Sequence, residues 1–446
     1  MKIIVAGAGE VGTHLAKMLS NENHDIVVID TEEANLKGIE NLDLMTVQGT
    51  ATSFGVLKEA NVKKADLFIA VTQSEEANIT SAILSKKLGA RKTIARIDNK
   101  EYLFPNNKEF FKELGIDYLI YPENIAVREL VNLVNQSGTV DFFDFSGGKL
   151  SLFVIKLEKD APIINQTLSE ANASTEGNTE YWAVAITREG KTLIPRGGDK
   201  FQINDIIYVI SSQAGIKELM KFSGKKEIEV KNIMILGGGR IGIGAANQLE
   251  DKFNVKLVEE DKEKCFKLAS LLNNTLIING DARNIDLLID EGLKNMDAFI
   301  AVTGNSETNI LSCLLAKQIG VKRTIAEIEN IDYIHIAENM GIDTIINKKL
   351  ITAGRIFRFT RSAEVSEVKC LTGTDAEVVE FIAKPGSKAT KGILRNLDFP
   401  KDSIIGGIVR GETSFIAKGE TEILPDDRVV VFALPSAYSK LEKFFN

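Results

Sequence analysis

Short runs of β-branched and aliphatic residues alternate along this chain with stretches whose apolar positions recur every three or four residues. Lys2 to Ala6, Asp25 to Asp30, Leu44 to Gly49, Leu67 to Val71, Thr93 to Ile97 and Tyr118 to Ile120 have the strand character, and Val11 to Leu19 opens the first helical stretch. Strands and helices alternating in this order predict a right-handed, mostly parallel doubly wound sheet. After a helix running from Pro122 through Val134 and a break at Gly138, the pattern changes. Val140 to Leu157, Tyr181 to Ile186, Lys191 to Pro195 and Ile206 to Ile210 then predict a smaller, strand-rich block.

The whole pattern then recurs. Gly7-Ala8-Gly9-Glu10-Val11-Gly12 returns as Gly237-Gly238-Gly239-Arg240-Ile241-Gly242, an offset of 230 that also carries Asp30 to Glu260. Asp66 to Thr72 returns as Asp297 to Thr303, an offset of 231. The strand-rich end returns as Val378 to Ala383, Ile404 to Arg410, Ser414 to Ala417 and Arg428 to Phe432, and Ile203-Asn204-Asp205 corresponds to Pro425-Asp426-Asp427. The chain is a duplicated α/β unit in the order A–B–A′–B′. The expected domains are 1–135, 136–225, 230–360 and 361–446, with a charged, glycine-containing link over 221–231.

A glycine fingerprint that follows a strand and opens a helix has a specific chemistry. Gly7 permits the tight turn, Gly9 lets the backbone approach a pyrophosphate, and Gly12 lets the helix pack close to the strand. The helix N-terminus then offers unpaired N–H groups to phosphate. Asp30, 18 residues beyond Gly12 at a strand end, suits the ribose hydroxyls of NAD or adenosine and would repel the 2′-phosphate of NADP. Thr72 and its copy Thr303 lie at the carboxyl end of the fourth strand, where ligands of such sheets bind. Ser74 and Ser306, just beyond, read equally well as helix caps.

Composition narrows the function. The 446 residues carry a net charge of −8, which argues against general nucleic-acid binding. No apolar run approaches the ~18 residues needed to span a bilayer, and Met1 to Gly7 enters a strand without a signal-peptide layout, so a cytoplasmic protein is expected. Three histidines and three cysteines without a C-x-x-C pair offer no metal set, and Cys265 and Cys313 read as buried apolar residues. The appended blocks contain no histidine, and no nucleophile elbow or acid–base constellation is evident. A nucleotide sensor rather than an enzyme is expected. An NAD-dependent oxidoreductase with a duplicated cofactor domain and a structural ring component with vestigial sites are the two other readings.

The glycine turn at the N-terminus, Val47 to Thr52, Asp66 to Thr72, Ile94 to Ile97 and Gly280-Asp281-Ala282 together resemble the TrkA family, regulatory subunits of Trk-type potassium uptake systems. The match covers essentially the whole chain. The resemblance implies two RCK (KTN) units, each a Rossmann-like N-lobe followed by a small α+β C-lobe. It implies a peripheral protein on the inner face of the membrane, assembled as a dimer or tetrameric ring. Such a protein binds NAD(H) or adenine nucleotides such as ATP and ADP, and gates a separate potassium-translocating subunit. Carried over, the first site uses Gly7, Gly9, Glu10, Val11, Gly12, Asp30, Gly49, Thr50 and Thr72. The second uses Gly237, Gly239, Arg240, Ile241, Gly242, Glu260, Gly280, Asp281 and Thr303. In related regulators an arginine at the variable place of the turn reaches nucleotide phosphate. Arg240 would do so here, whereas Glu10 opposes extra phosphate charge, and Arg96 becomes Glu327. Unequal ligand preferences are therefore expected.

Overall fold

In the computed structural model, residues 1–20, 24–135, 141–159, 161–173, 180–188, 191–223, 230–360, 365–371 and 376–446 are described. The break at Gly138 and most of the 221–231 link lie outside them. The first sheet contains β1 (Lys2–Ala6), β2 (Asp25–Asp30), β3 (Met45–Gln48), β4 (Leu67–Ala70), β5 (Lys92–Arg96) and β6 (Tyr118–Ile120). Its strands are parallel and ordered β3-β2-β1-β4-β5-β6. β1 and β4 are central and buried on both faces, which is why they read as continuous apolar runs rather than alternating ones.

A small antiparallel sheet follows: β7 (Asp141–Phe145), β8 (Leu150–Lys156), β9 (Tyr181–Arg188), β10 (Lys191–Leu193) and β11 (Ile206–Ser212), in the order β10-β9-β11-β8-β7. The second parallel sheet is made of β12 (Asn232–Leu236), β13 (Asn254–Glu259), β14 (Thr275–Asn279), β15 (Ala298–Ala301), β16 (Arg323–Glu327) and β17 (Thr344–Ile346). Its order, β14-β13-β12-β15-β16-β17, repeats that of the first. The last sheet contains β18 (Val365–Cys370), β19 (Glu377–Ile382), β20 (Ser403–Arg410), β21 (Thr413–Ile416) and β22 (Arg428–Ala433).

The chain forms two compact units that do not follow its linear order. One combines Met1–Ile125 with Lys348–Ser362, and the other combines Ala126–Asn347 with Ala363–Asn446. In the first unit, the helix Lys348–Phe357, which follows the second parallel sheet in sequence, packs on the helix Glu10–Ser20. There Lys349 pairs with Glu10. In the second unit, Val127 packs against Gly244 so closely that a Cβ on Gly244 would lie 2.7 Å from its Cγ2. The helix following each parallel sheet thus lies against the first helix of the other copy's sheet.

Within the second unit the two small sheets share one core. Phe145, Leu152 and Tyr208 from the first small block meet Val378, Val430 and Phe432 from the last. The rings of Tyr208 and Phe432 are 5.7 Å apart at their centroids. Each small sheet thus supplies an apolar face to the other.

Candidate functional site

The two glycine turns sit where the strand order reverses, at the carboxyl ends of β1 and β12. Gly7 and Gly237 have φ of +106° and +100°, a region in which a side chain is strained. A Cβ on Gly7 would also lie 2.8 Å from the Thr72 nitrogen, and one on Gly237 2.8 Å from the Val302 carbonyl oxygen. A Cβ on Gly12 would overlap the Gly7 carbonyl oxygen, and one on Gly242 that of Gly237. These four glycines are required by the fold. The middle ones are not: a Cβ on Gly9 or Gly239 would meet nothing within 4 Å. Val11 and Ile241 are buried and anchor the helices to their sheets.

The remaining residues of the first site converge through the backbone. Ala8 N–H donates to Asp30 Oδ2 at 2.6 Å, and Asp30 Oδ1 accepts from Glu32 N–H (2.8 Å) and Asn35 Nδ2 (3.2 Å). Gly49 N–H donates to the Asp30 carbonyl at 2.8 Å, placing Gly49 and Thr50 beside the acid. Gly49 itself is packed on Val56. Thr50 Oγ1 lies 2.8 Å from Thr52 Oγ1 within its own turn. Thr72 closes the other side, but its hydroxyl already donates to Asn78 Oδ1 at 2.7 Å.

Asn78 is a residue that sequence reasoning passed over. It is buried, accepts from the Thr72 N–H and donates to the Thr72 and Arg96 carbonyls, tying the ends of β4 and β5 together. Asn309 does the same for Thr303 and Glu327. The signal was available as an asparagine six residues beyond each threonine. Ser74 caps its helix, accepting from Ala77 N–H. In the second copy the cap is Asn305, and Ser306 instead accepts from Glu329 N–H at 3.0 Å. Arg96 pairs with Asp98 at 3.3 Å.

The second site departs from the sequence expectation at its acid. Gly238 N–H donates to Glu259 Oε2 at 2.9 Å, and Gly280 N–H donates to the Glu259 carbonyl at 2.9 Å. Glu259, not Glu260, therefore stands where Asp30 stands, and Glu260 is exposed. The constant offset of 230 fails here because the helix after the second glycine turn, Arg240–Leu249, has 10 residues where Glu10–Ser20 has 11. The substitution of a longer acid has a matching change. A Cβ on Gly238 would lie 2.8 Å from Glu259 Oε2, whereas the shorter Asp30 tolerates the methyl of Ala8.

Glu259 is buried and also bonded by Asp261 N–H (3.1 Å) and Lys264 Nζ (2.6 Å). Burial alone raises its carboxyl pKa. The hydrogen bond from Lys264, the Asp261 amide, the Lys264 charge and the Gly238 amide outweigh that and hold it below the ordinary glutamate range. Asp281 takes the place of Thr50 and is held by Arg283, which bonds both its oxygens and lowers its pKa. Among the described residues, no group of His, Cys, Asp and Glu is placed to hold a metal, and no helix is long and apolar enough to cross a membrane.

Two Rossmann-like sheets with intact glycine turns, interleaved with two small lobes, define a tandem RCK-type protein. The TrkA-N domain model matches residues 3–122 and 233–348, and the TrkA-C domain model matches 152–224 and 378–446. The chain belongs to the TrkA family of Trk potassium uptake proteins. It is 34% identical to the Trk system potassium uptake protein TrkA of Haemophilus influenzae, over 97% of this chain and 95% of that one. It is 32% identical to the TrkA homolog of Archaeoglobus fulgidus over the full length of both. Among solved structures, the GsuK channel superposes over 99% of this chain and 78% of its own, with a TM-score of 0.61 and 18% identity. The same channel bound to NAD gives 0.59 at 18% identity, over 100% of this chain and 78% of that one.

Proposed function

We propose that this protein is a nucleotide-sensing regulatory subunit that binds NAD(H) at its first site and controls a separate Trk-type potassium-translocating membrane protein. The observation that carries the reading is the middle glycine of each turn. Gly9 and Gly239 have free space where a side chain would go, and no contact among the described residues accounts for their being glycine. A pyrophosphate resting on the helix N-terminus does.

Asp30 supports the dinucleotide assignment. Its Oδ2 accepts one backbone hydrogen bond and keeps a lone pair for a ribose hydroxyl. Asp30→Ala is expected to weaken NADH binding by about 1–3 kcal/mol, the cost of a lost hydrogen bond to a charged group. Calorimetric titration checks this, and an unchanged affinity counts against the assignment. Arg240, first residue of its helix, is the group that favours phosphate-rich ligands such as ATP or ADP at the second site. The chain carries no turnover of its own. When bound, the nucleotide supplies binding energy that differs between two conformations, and that difference is what shifts the assembly.

The potassium role rests on the family, whose curated members carry the name Trk system potassium uptake protein. The protein works on the cytoplasmic face, as a homo-oligomer held to the membrane by its partner. A strain lacking this protein and any second uptake system should fail to accumulate potassium at low external concentration. Normal uptake in that strain removes the reading.

A further inference from the structure

The two halves of this chain are an internal comparison. Two positions at the strand-end acid of the first site are changed together in the second. Where Asp30 receives Asn35, Glu259 receives Lys264, five residues downstream in both cases. Where Ala8 covers the shorter acid, Gly238 leaves room for the longer one to fold inward. Resting on the nucleotide reading above, we propose that Lys264 is the specificity-determining residue of the second site. It replaces acid recognition of the ribose diol by an ammonium, so that this site accepts a dinucleotide bearing a 2′-phosphate, NADP(H), which the first site repels.

The argument is one of lone pairs and charge. The carboxylate oxygen that holds the turn N–H has two acceptor directions. In Asp30 that oxygen, Oδ2, accepts the Ala8 N–H alone among the described residues, and the residue is partly exposed. The second direction is open to a ribose hydroxyl. In Glu259 the corresponding oxygen, Oε2, accepts both Gly238 N–H and Lys264 Nζ, and the residue is buried. The place the hydroxyl would take is filled by an ammonium 2.6 Å from the acid. Lys264 is itself two-fifths exposed, and its ammonium carries two donors beyond the one spent on Glu259.

A free ribose diol gains little here, because the acid it would bind is already satisfied. A phosphate on the 2′ position gains a cation and meets a carboxylate already neutralised by that same cation. In the first site the same phosphate meets the charge of Asp30, whose donors among the described residues are the neutral N–H groups of Ala8, Glu32 and Asn35. Arg283, just beyond the neighbouring strand end, is paired through Nε and Nη2 with both oxygens of Asp281.

The test uses the full-length protein with one turn closed at a time. Gly239→Val isolates the first site and Gly9→Val isolates the second. NADH and NADPH are titrated into each by calorimetry. The first site should prefer NADH by about tenfold or more, and the second should bind NADPH at least as tightly as NADH. Adding Lys264→Asn to the Gly9→Val protein installs the first site's pairing, and should lower NADPH affinity about tenfold while NADH affinity holds or rises. Lys264→Arg should keep the NADPH preference, which a loss of folding would not.

The inference is overturned if the second site prefers NADH as strongly as the first does, or if Lys264→Asn leaves the ratio unchanged. It is also overturned if the second site takes neither dinucleotide while the first binds NADH. Absence of NADH binding at the first site is a separate outcome and overturns the nucleotide reading itself.

Discussion

Replacing Gly9 with valine is expected to lower NADH affinity at the first site on the order of 100-fold while leaving the fold in place. The expectation follows from what each glycine of the turn touches. A valine at Gly9 enters open space on the side from which a pyrophosphate approaches, so its branched side chain collides with ligand rather than with protein. It also replaces a glycine immediately before a helix, where Val caps worse than Gly by about 1 kcal/mol or less, too little to unfold a domain. Gly12→Ala is the contrasting control. Its single methyl would overlap the Gly7 carbonyl oxygen, a backbone atom that cannot move without opening the turn. That variant should lose stability and solubility, not ligand alone. Far-ultraviolet circular dichroism and a calorimetric titration on the same preparations separate the two effects. A Gly9→Val protein with wild-type NADH affinity means the turn is not the phosphate cradle.

Much of this was legible in the sequence because it is local. The strands of the parallel sheets are buried on both faces and read as apolar runs, and the glycines announce a turn whose geometry leaves few alternatives. The first site follows from that turn plus one strand-end acid. The second site was legible only in part. Counting at a constant offset selects Glu260, but one residue fewer before β13 moves the acid to Glu259, and hydrogen bonds rather than spacing reveal it. Lys264 lies on the helical surface among other charged residues, and only its contact with Glu259 distinguishes it. The pooling of both small sheets into one core, and the exchange of helices between the halves, depend on contacts between residues more than 100 positions apart. Periodicity reports that a face is apolar and carries no information about which distant face covers it.

The small lobes contain a repeated feature with a large expected effect on stability. Arg410 Nε and Nη2 bond the two carboxylate oxygens of Asp427 at 2.9 and 2.7 Å, and Arg410 also donates to the Glu422 carbonyl. Asp427 in turn accepts from Leu424 N–H, closing the turn through Asp426, whose φ is +67°. The first lobe repeats the pattern with Arg188, Asp205, the Lys200 carbonyl, Gln202 N–H and Asn204 at the same φ. Asp427 is buried and Arg410 is partly exposed. Removing the acid leaves the Leu424 N–H without its acceptor and frees the turn that delivers β22, while the partly exposed guanidinium turns to water. Asp427→Ala is therefore expected to cost about 1–3 kcal/mol locally, the usual penalty for leaving a buried hydrogen-bonding group without its partner. A chain of several blocks does not unfold in one step, so the quantity to measure is amide hydrogen exchange of β20 and β22 under native conditions. Their protection should fall about tenfold to a hundredfold, about 1.4 kcal/mol for each factor of ten. NADH affinity at the first site should stay unchanged, because Asp427 belongs to the other compact unit. Exchange slowed to the wild-type level in Asp427→Ala would show that the turn is held by the packing of its strands and not by the ion pair.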